Sequence, residues 1–176
     1  MRKLLFTTIA GLLFLSLAMT GTAQPRKSPH ETTSLAAGGA KITITYGRPY
    51  MRGRKIFGGL EQYGKVWRTG ADEATTLETT ANLDIAGLKV PAGTYGLFTI
   101  PGENGWKLII NKTAKQWGAF DYKEADDLGR VDMKVEKSGA PAEQFTISLA
   151  PAGSNGATLK LAWENTVASV PIKVAP

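Results

Sequence analysis

Alternation of apolar and polar residues dominates the chain from residue 41 onward. In "KITITYG", Ile42, Ile44 and Tyr46 fall on one side of an extended chain, with Thr43 and Thr45 on the other. Because side chains alternate across a strand, this period of two predicts strands with one buried face. The pattern recurs in "TTLETTANLDIAG", "GTYGLFTIPG", "GWKLIINK", "VDMKVEK", "QFTISLA", "ATLKLAWEN" and "SVPIKV". "GTYGLFTIPG" and "GWKLIINK" carry apolar residues on both sides, which suits strands covered on both faces.

Turn signals separate these segments at short intervals. Asn104-Gly105 and Asn155-Gly156 each join two predicted strands, and Asn-Gly accepts the positive φ angles of a type I′ hairpin turn. Only residues 113–129 have a helical pattern, which Gly118 weakens. The sequence therefore predicts an all-β, single-domain antiparallel β-sandwich or small barrel of about eight or nine strands, with one or two short helical turns.

The N-terminus has the three parts of a secretory signal peptide. A basic start precedes an apolar run over residues 4–19, and the small residues Gly21 and Ala23 precede Gln24. This pattern predicts a signal peptide over residues 1–23, and hence a periplasmic or secreted protein. The apolar run is shorter than the roughly 20 residues of a membrane span, so no transmembrane anchor is expected after cleavage.

Residues 24–40, "QPRKSPHETTSLAAGGA", are rich in Pro, Ser, Thr, Ala and Gly. They predict a flexible arm or linker before a β-sandwich domain over residues 41–176. The chain has no Cys, which leaves packing to stabilise the exported fold and excludes thiol catalysis. Its net charge of +6 favours solubility, and no nucleic-acid partner is expected. The oligomeric state stays open.

Metal and triad chemistry have little support in the sequence. His30 is the only His and lies in the predicted arm, whereas zinc sites and Ser-His-Asp triads need well-placed imidazoles. The acids Asp121, Glu124, Asp126 and Asp127 offer the oxygen ligands that calcium prefers. Their spacing matches no EF-hand loop, and a solvated acidic turn is the favoured interpretation. We therefore predict no catalytic residue, metal or cofactor.

A cluster of basic and aromatic residues occupies "YGRPYMRGRKIFGG". It contains Arg48, Arg52, Arg54 and Lys55 between aromatic side chains and glycines. Guanidinium groups suit carboxylate, phosphate or sulfate, and aromatic faces suit sugar rings. Loops on a rigid β scaffold often carry binding sites. The cluster is either a solvated hairpin tip or part of a site for an anionic or sugar-like ligand.

The stretch "VWRTGADEATTLETT" places Trp67, Arg68, Asp72 and Glu73 close together in the chain. In a structural interpretation, Trp67 fills the core, and Arg68 forms an ion pair with Glu73 or Asp72 beneath the loop. In a functional one, the same residues form the edge of a ligand site.

Two other functions stay open. One is a hydrolase that uses Glu73 with a second carboxylate, Asp84 or Glu164, because glycoside hydrolysis needs two acids across a cleft. The other is a structural or assembly protein of the cell envelope that presents its strand edges or its basic face.

An ordered set of motifs resembles one family of exported bacterial proteins, domain of unknown function 2911. These motifs are "ITYGRPYMRGRKIFGGL", "YGKVWRTGADEATTL", "VPAGTYGLFTIPG", "WKLIINK", "QWGAFDY" and "LAWENTVASVPI". The resemblance spans roughly Ser28 to Ile172 and implies a single exported β-rich domain of a Gram-negative bacterium. It implies no activity, substrate or catalytic residue. The family motif usually has Asn where this chain has Asp72, which favours Glu73 over Asp72 as a site residue.

The clustering of Arg and aromatic residues, within an exported β-sandwich, predicts a protein that binds a small anionic or carbohydrate ligand without catalysis. The candidate ligand-binding residues are Arg48, Arg52, Arg54, Trp67, Arg68, Glu73 and Trp117.

Overall fold

A computed structural model describes residues 27–175. The predicted signal peptide lies outside the described residues. Nine strands and one short 3-10 helix make up the regular structure of residues 27–175. The strands are β1 His30–Ala37, β2 Ala40–Gly47, β3 Thr75–Thr79, β4 Leu83–Ile85, β5 Leu88–Val90, β6 Gly93–Ile100, β7 Trp106–Asn111, β8 Asp127–Pro151 and β9 Gly156–Val174, and the 3-10 helix is Glu124–Asp126.

All strand pairings are antiparallel and connect the strands in the order β1-β2-β3-β6-β7-β8-β9-β4-β5. The sheet is open, with β1 and β5 at its two edges. The long strand β8 links two sections of the sheet. Its first part pairs with β7 and so joins the section β1-β2-β3-β6-β7, and its later part pairs with β9 and so joins the section β9-β4-β5. Within the part that pairs with β9, the register shifts between Lys137 and Ala142 and again between Ala142 and Thr146. The all-β antiparallel prediction is confirmed.

The main core lies between these two sections. Alternate residues of β2, β3, β6 and β7 face those of β4, β8 and β9, as the period of two predicted. Five aromatic rings fill one end of this core. They are Phe57, Trp67, Trp106, Phe145 and Trp163, whose centroids lie 4.7–6.3 Å apart in the pairs that contact.

A second, smaller cluster covers the other face of β6 and β7. Phe98 and Ile109 are fully buried there, under the loop that carries Ala119 and Tyr122. These two strands are therefore buried on both faces, as their continuous apolar pattern predicted. No helix among residues 27–175 has the length and apolar character needed to cross a membrane.

The structure differs from the sequence-based expectations in two places. Residues 30–37, within the predicted flexible arm, instead form edge strand β1, which pairs with all of β2. The separately predicted strands of the C-terminal half merge into β8 and β9, since bulges interrupt the pairing without ending it. Within residues 113–129, Glu124–Asp126 forms one short helical turn, in agreement with the prediction of one or two such turns.

Candidate functional site

A pocket of about 270 Å³ lies between the loop after β2 and the loop that begins at Trp67. Three guanidinium groups line it, those of Arg52, Arg54 and Arg68. Its other lining residues include Tyr50, Leu60, Glu61, Asp72 and Trp163. Three of the seven predicted site residues therefore meet in one cavity, although two of them come from one loop and the third from another.

A tight turn holds Arg52 and Arg54 at the rim of this pocket. Arg52 and Gly53 have φ angles of 50° and 72°, and the N–H of Arg54 donates to the carbonyl of Met51 at 3.1 Å. The Arg54 guanidinium donates to the carbonyls of Met51 and Tyr50 at 2.9 and 2.8 Å. The Arg52 guanidinium lies 6.0 Å from the centroid of the Tyr50 ring.

Arg68 follows the core residue Trp67 and is directed to the pocket. Trp67 pairs with Thr99 through two backbone hydrogen bonds of 2.7 and 3.0 Å, which fix the start of the loop. The Nε atom of Arg68 is buried and has no hydrogen-bond partner among residues 27–175. Burying a polar group without a partner is costly, so this nitrogen is an unsatisfied donor at the pocket.

The guanidinium groups of Arg52, Arg54 and Arg68 form no ion pair within residues 27–175, where no carboxylate oxygen lies within 4.0 Å of a guanidinium nitrogen of these three residues. The predicted ion pair of Arg68 with Glu73 or Asp72 is therefore wrong. Both acids instead contact His30.

Glu61 is an acidic residue that lines this cationic pocket. Burial raises the pKa of Glu61 to about 7, against the opposing charges of Arg68 and Arg54. Its neighbour across a local bridge is Phe57, whose ring belongs to the aromatic core. The pocket thus combines the three guanidinium groups and Lys27 with two carboxyl groups, those of Asp72 and of Glu61, and the pKa of Glu61 is about 7.

Two of the predicted site residues, Trp67 and Arg48, do not line the pocket and make structural contacts. Trp67 is only 2% exposed and packs within the aromatic core. Arg48 does not line the pocket: its guanidinium donates to Phe145 O at 3.0 Å and Thr146 Oγ1 at 2.8 Å and forms an ion pair with Glu31. Arg48 thereby fastens the end of β2 to β8 and β1.

Glu73 and Trp117 lie on a neighbouring groove of about 380 Å³ and do not line the Arg-lined pocket. Trp117 is 58% exposed and pairs with Glu73 through an isolated bridge. The N–H of Gly118 donates to the carbonyl of Asp72 at 3.1 Å. The pocket and the groove are therefore separated by the short segment that carries Asp72 and Glu73.

Sequence reasoning missed one side chain at this segment, His30. Its Nε2 lies 3.1 Å from Glu73 Oε2 and 3.6 Å from Asp72 Oδ2. Within residues 27–175 these three side chains are the only group of three or more His, Cys, Asp or Glu placed to share a metal ion. The signal was weak, because "HETTSLAA" has the exposed pattern of an edge strand.

The two carboxylates considered as the second acid of a hydrolase, Asp84 and Glu164, make contacts away from both cavities. Asp84 forms an ion pair with Lys89 at 2.6 Å, and Glu164 accepts a hydrogen bond from the N–H of Phe57 at 3.3 Å. Neither lines the pocket or the groove.

The acids first considered for calcium are engaged by protein donors. Asp127 accepts hydrogen bonds from Tyr122, Asn111 and Arg130 at 2.7–2.9 Å. Glu124 forms an ion pair with Arg130 at 3.2 Å. Asp127 therefore serves as an internal anchor for this loop.

A family model described as "Protein of unknown function (DUF2911)" matches residues 28–172. Comparison with curated proteins gave no match, and comparison with solved structures gave none either. The family match covers the pocket, the groove and nearly all of the β-sandwich.

Proposed function

We propose that this chain, which belongs to the DUF2911 family of proteins of unknown function, binds a small anionic ligand without catalysing its conversion. The binding site is the pocket lined by Arg52, Arg54 and Arg68. A carboxylate, phosphate or sulfate group would receive hydrogen bonds from guanidinium forks, which match the geometry of these anions.

The observation that carries this proposal is the buried Nε of Arg68, a charged donor without a partner in the described chain. Native structures rarely leave such a group unsatisfied, and a ligand acceptor at this position would remove the cost. Arg52 and Arg54 add positive charge at the same cavity, which would strengthen attraction to an anion within a few ångströms.

The size of the cavity sets the class of ligand. A pocket of about 270 Å³ is at the lower end of the range of small-molecule sites. Tyr50 and the apolar side chain of Leu60 line the pocket together with the cations. An inorganic oxyanion or a compact acid, including a sugar acid, fits this combination of charge, aromatic surface and volume.

Export is part of the same proposal. The N-terminal pattern that predicts a signal peptide supports a mature protein that acts in the periplasm or outside the cell. Expression of the full chain in a Gram-negative host, followed by N-terminal sequencing of the periplasmic fraction, tests this. A mature terminus at Gln24 is expected, whereas retention of an intact chain in the cytoplasm would contradict it.

Ligand binding is tested by calorimetry and thermal shift with sulfate, inorganic phosphate and glucuronate, at constant ionic strength set with chloride. Arg68→Gln and Arg52→Gln should weaken sulfate binding roughly tenfold to hundredfold, the worth of a charge-assisted hydrogen bond. Lys55→Gln is the matched control, since Lys55 is exposed, carries the same charge and does not line the pocket. Equal losses in all three variants, or saturable binding of none of the anions, would refute the proposal.

A further inference from the structure

The cluster of His30, Asp72 and Glu73 joins the first strand to the loop between the pocket and the groove. Strand β1 places His30 opposite Gly47, the last residue of β2. The carbonyl of Gly47 accepts a hydrogen bond from the N–H of Ala71 at 3.3 Å. Three separate segments of the chain therefore meet at this point, and the two acids that follow Ala71 reach the imidazole.

From this arrangement we infer that His30, Asp72 and Glu73 bind a divalent transition-metal ion such as Zn²⁺ or Mn²⁺. One ligand atom from each side chain can be chosen so that all three lie within 4.8 Å of one another. The inference does not rest on the anion-binding proposal, because a metal ion alone is sufficient to test it.

The separations fit a common coordination shell. Ligand atoms about 2.1 Å from a metal, at angles between octahedral and tetrahedral, are roughly 3.0–3.4 Å from one another. Nε2 of His30 lies 3.1 Å from Oε2 of Glu73 and 3.6 Å from Oδ2 of Asp72. Rotation of these partly exposed side chains would bring the two carboxylate oxygens, which lie within 4.8 Å of each other, into the same shell.

The backbone already holds the three ligands together. Asp72 has a φ of 64°, and its carbonyl accepts a hydrogen bond from Gly118 at 3.1 Å. Glu73 is bridged to Trp117, and His30 lies on a paired strand. Little conformational entropy would be lost on binding, which favours affinity at a preformed site.

The donor set selects the class of metal. One imidazole nitrogen and two carboxylate oxygens suit Zn²⁺, Mn²⁺ or Fe²⁺, whereas Ca²⁺ and Mg²⁺ prefer oxygen ligands alone. The negative charges of the two carboxylates attract a divalent cation. Three protein ligands leave at least one coordination position for water or an exogenous group.

The single His of the chain makes the test direct. Untagged, chelator-treated protein labelled with ¹⁵N gives one pair of imidazole nitrogen resonances. Zn²⁺ should shift the Nε2 resonance to saturation at one equivalent, and Mn²⁺ should broaden the same signals. Imidazole resonances that stay unchanged with excess of either ion would overturn the inference.

Variants distinguish this site from general metal attraction to surface acids. His30→Gln and Glu73→Gln should lose at least about tenfold in Zn²⁺ affinity, because losing even an outer-shell partner commonly costs that much. Asp132→Asn, which removes an exposed acid paired with Lys107, should bind Zn²⁺ as the wild type does. Thermal melting checks that each variant is folded.

Equal Zn²⁺ affinity in the wild type, His30→Gln and Asp132→Asn would refute the site. If His30→Gln fails to fold, the imidazole titration of the wild type decides the question alone. Sulfate binding in the absence of metal would show that the anion pocket works without the metal ion. Zn²⁺ binding by Arg68→Gln would show that the metal site works without the anion pocket.

Discussion

The substitution Glu61→Gln tests the electrostatics of the pocket. Burial raises the pKa of the Glu61 carboxyl from 4.5 to about 7. As the pH rises between these values, the unfolded chain loses this proton while the folded protein keeps it, so the stability of the wild type falls. One unit of pKa displacement corresponds to about 1.4 kcal/mol, so the loss reaches at most about 3.5 kcal/mol above neutral pH. Glutamine has nearly the same shape and no charge, so the variant should not lose this stability.

Urea unfolding of both proteins at about pH 5 and about pH 8 measures the effect. Asp84 and Glu136 have lowered pKa values and stabilise the protein as the pH rises, but both are present in each protein and cancel in the comparison. Glu136→Gln is the control, and it should retain the loss that depends on Glu61. The reasoning is refuted if wild type and Glu61→Gln differ by less than about 0.5 kcal/mol in their pH dependence.

Three further predictions concern Glu61, Trp67 and Arg48. Sulfate, whose charge is constant over this range, should bind the wild type more weakly at about pH 8 than at about pH 6, because ionised Glu61 opposes the anion; calorimetry on Glu61→Gln should give no such change. Trp67→Ala should lower the free energy of unfolding by about 3–5 kcal/mol, since it empties the centre of the aromatic core, and a loss under about 1 kcal/mol in urea would contradict that. Arg48→Ala should cost about 1.5–3 kcal/mol through its lost charged hydrogen bonds and leave sulfate affinity unchanged, so a loss of binding without a loss of stability would place Arg48 in the site.

Much of the fold was predictable because strand formation and turn geometry are local. The alternation in β2 identifies a strand correctly, and the Asn-Gly pairs at residues 104–105 and 155–156 mark the β6–β7 and β8–β9 hairpins. The predicted type I′ turns are wrong, because none of these four residues has a positive φ. The apolar pattern of β6 and β7 also predicted burial on both faces. These features depend on side-chain period and allowed φ angles, which neighbouring residues determine.

Strand β1 could not be found in the same way. Its residues are mostly exposed, so no alternation marks it, and its order comes from hydrogen bonds to β2. An edge strand of this kind is ordered by its partner, since backbone pairing is independent of side-chain type. Because residues 24–40 were predicted to be a flexible arm, the contacts of His30 with Asp72 and Glu73 were not predicted.

The sequence by itself determined the class of fold, the strands with a buried face, and the residue types able to bind an anion. It could not assign roles among similar side chains: Arg48 became a structural fastener, while Arg52 and Arg54 line a pocket with Arg68. Nor could it bring His30 to Glu73. Periodicity and turn chemistry act over a few residues, whereas the charge environment of a side chain depends on which distant segments pack against it. Only the tertiary structure decides that.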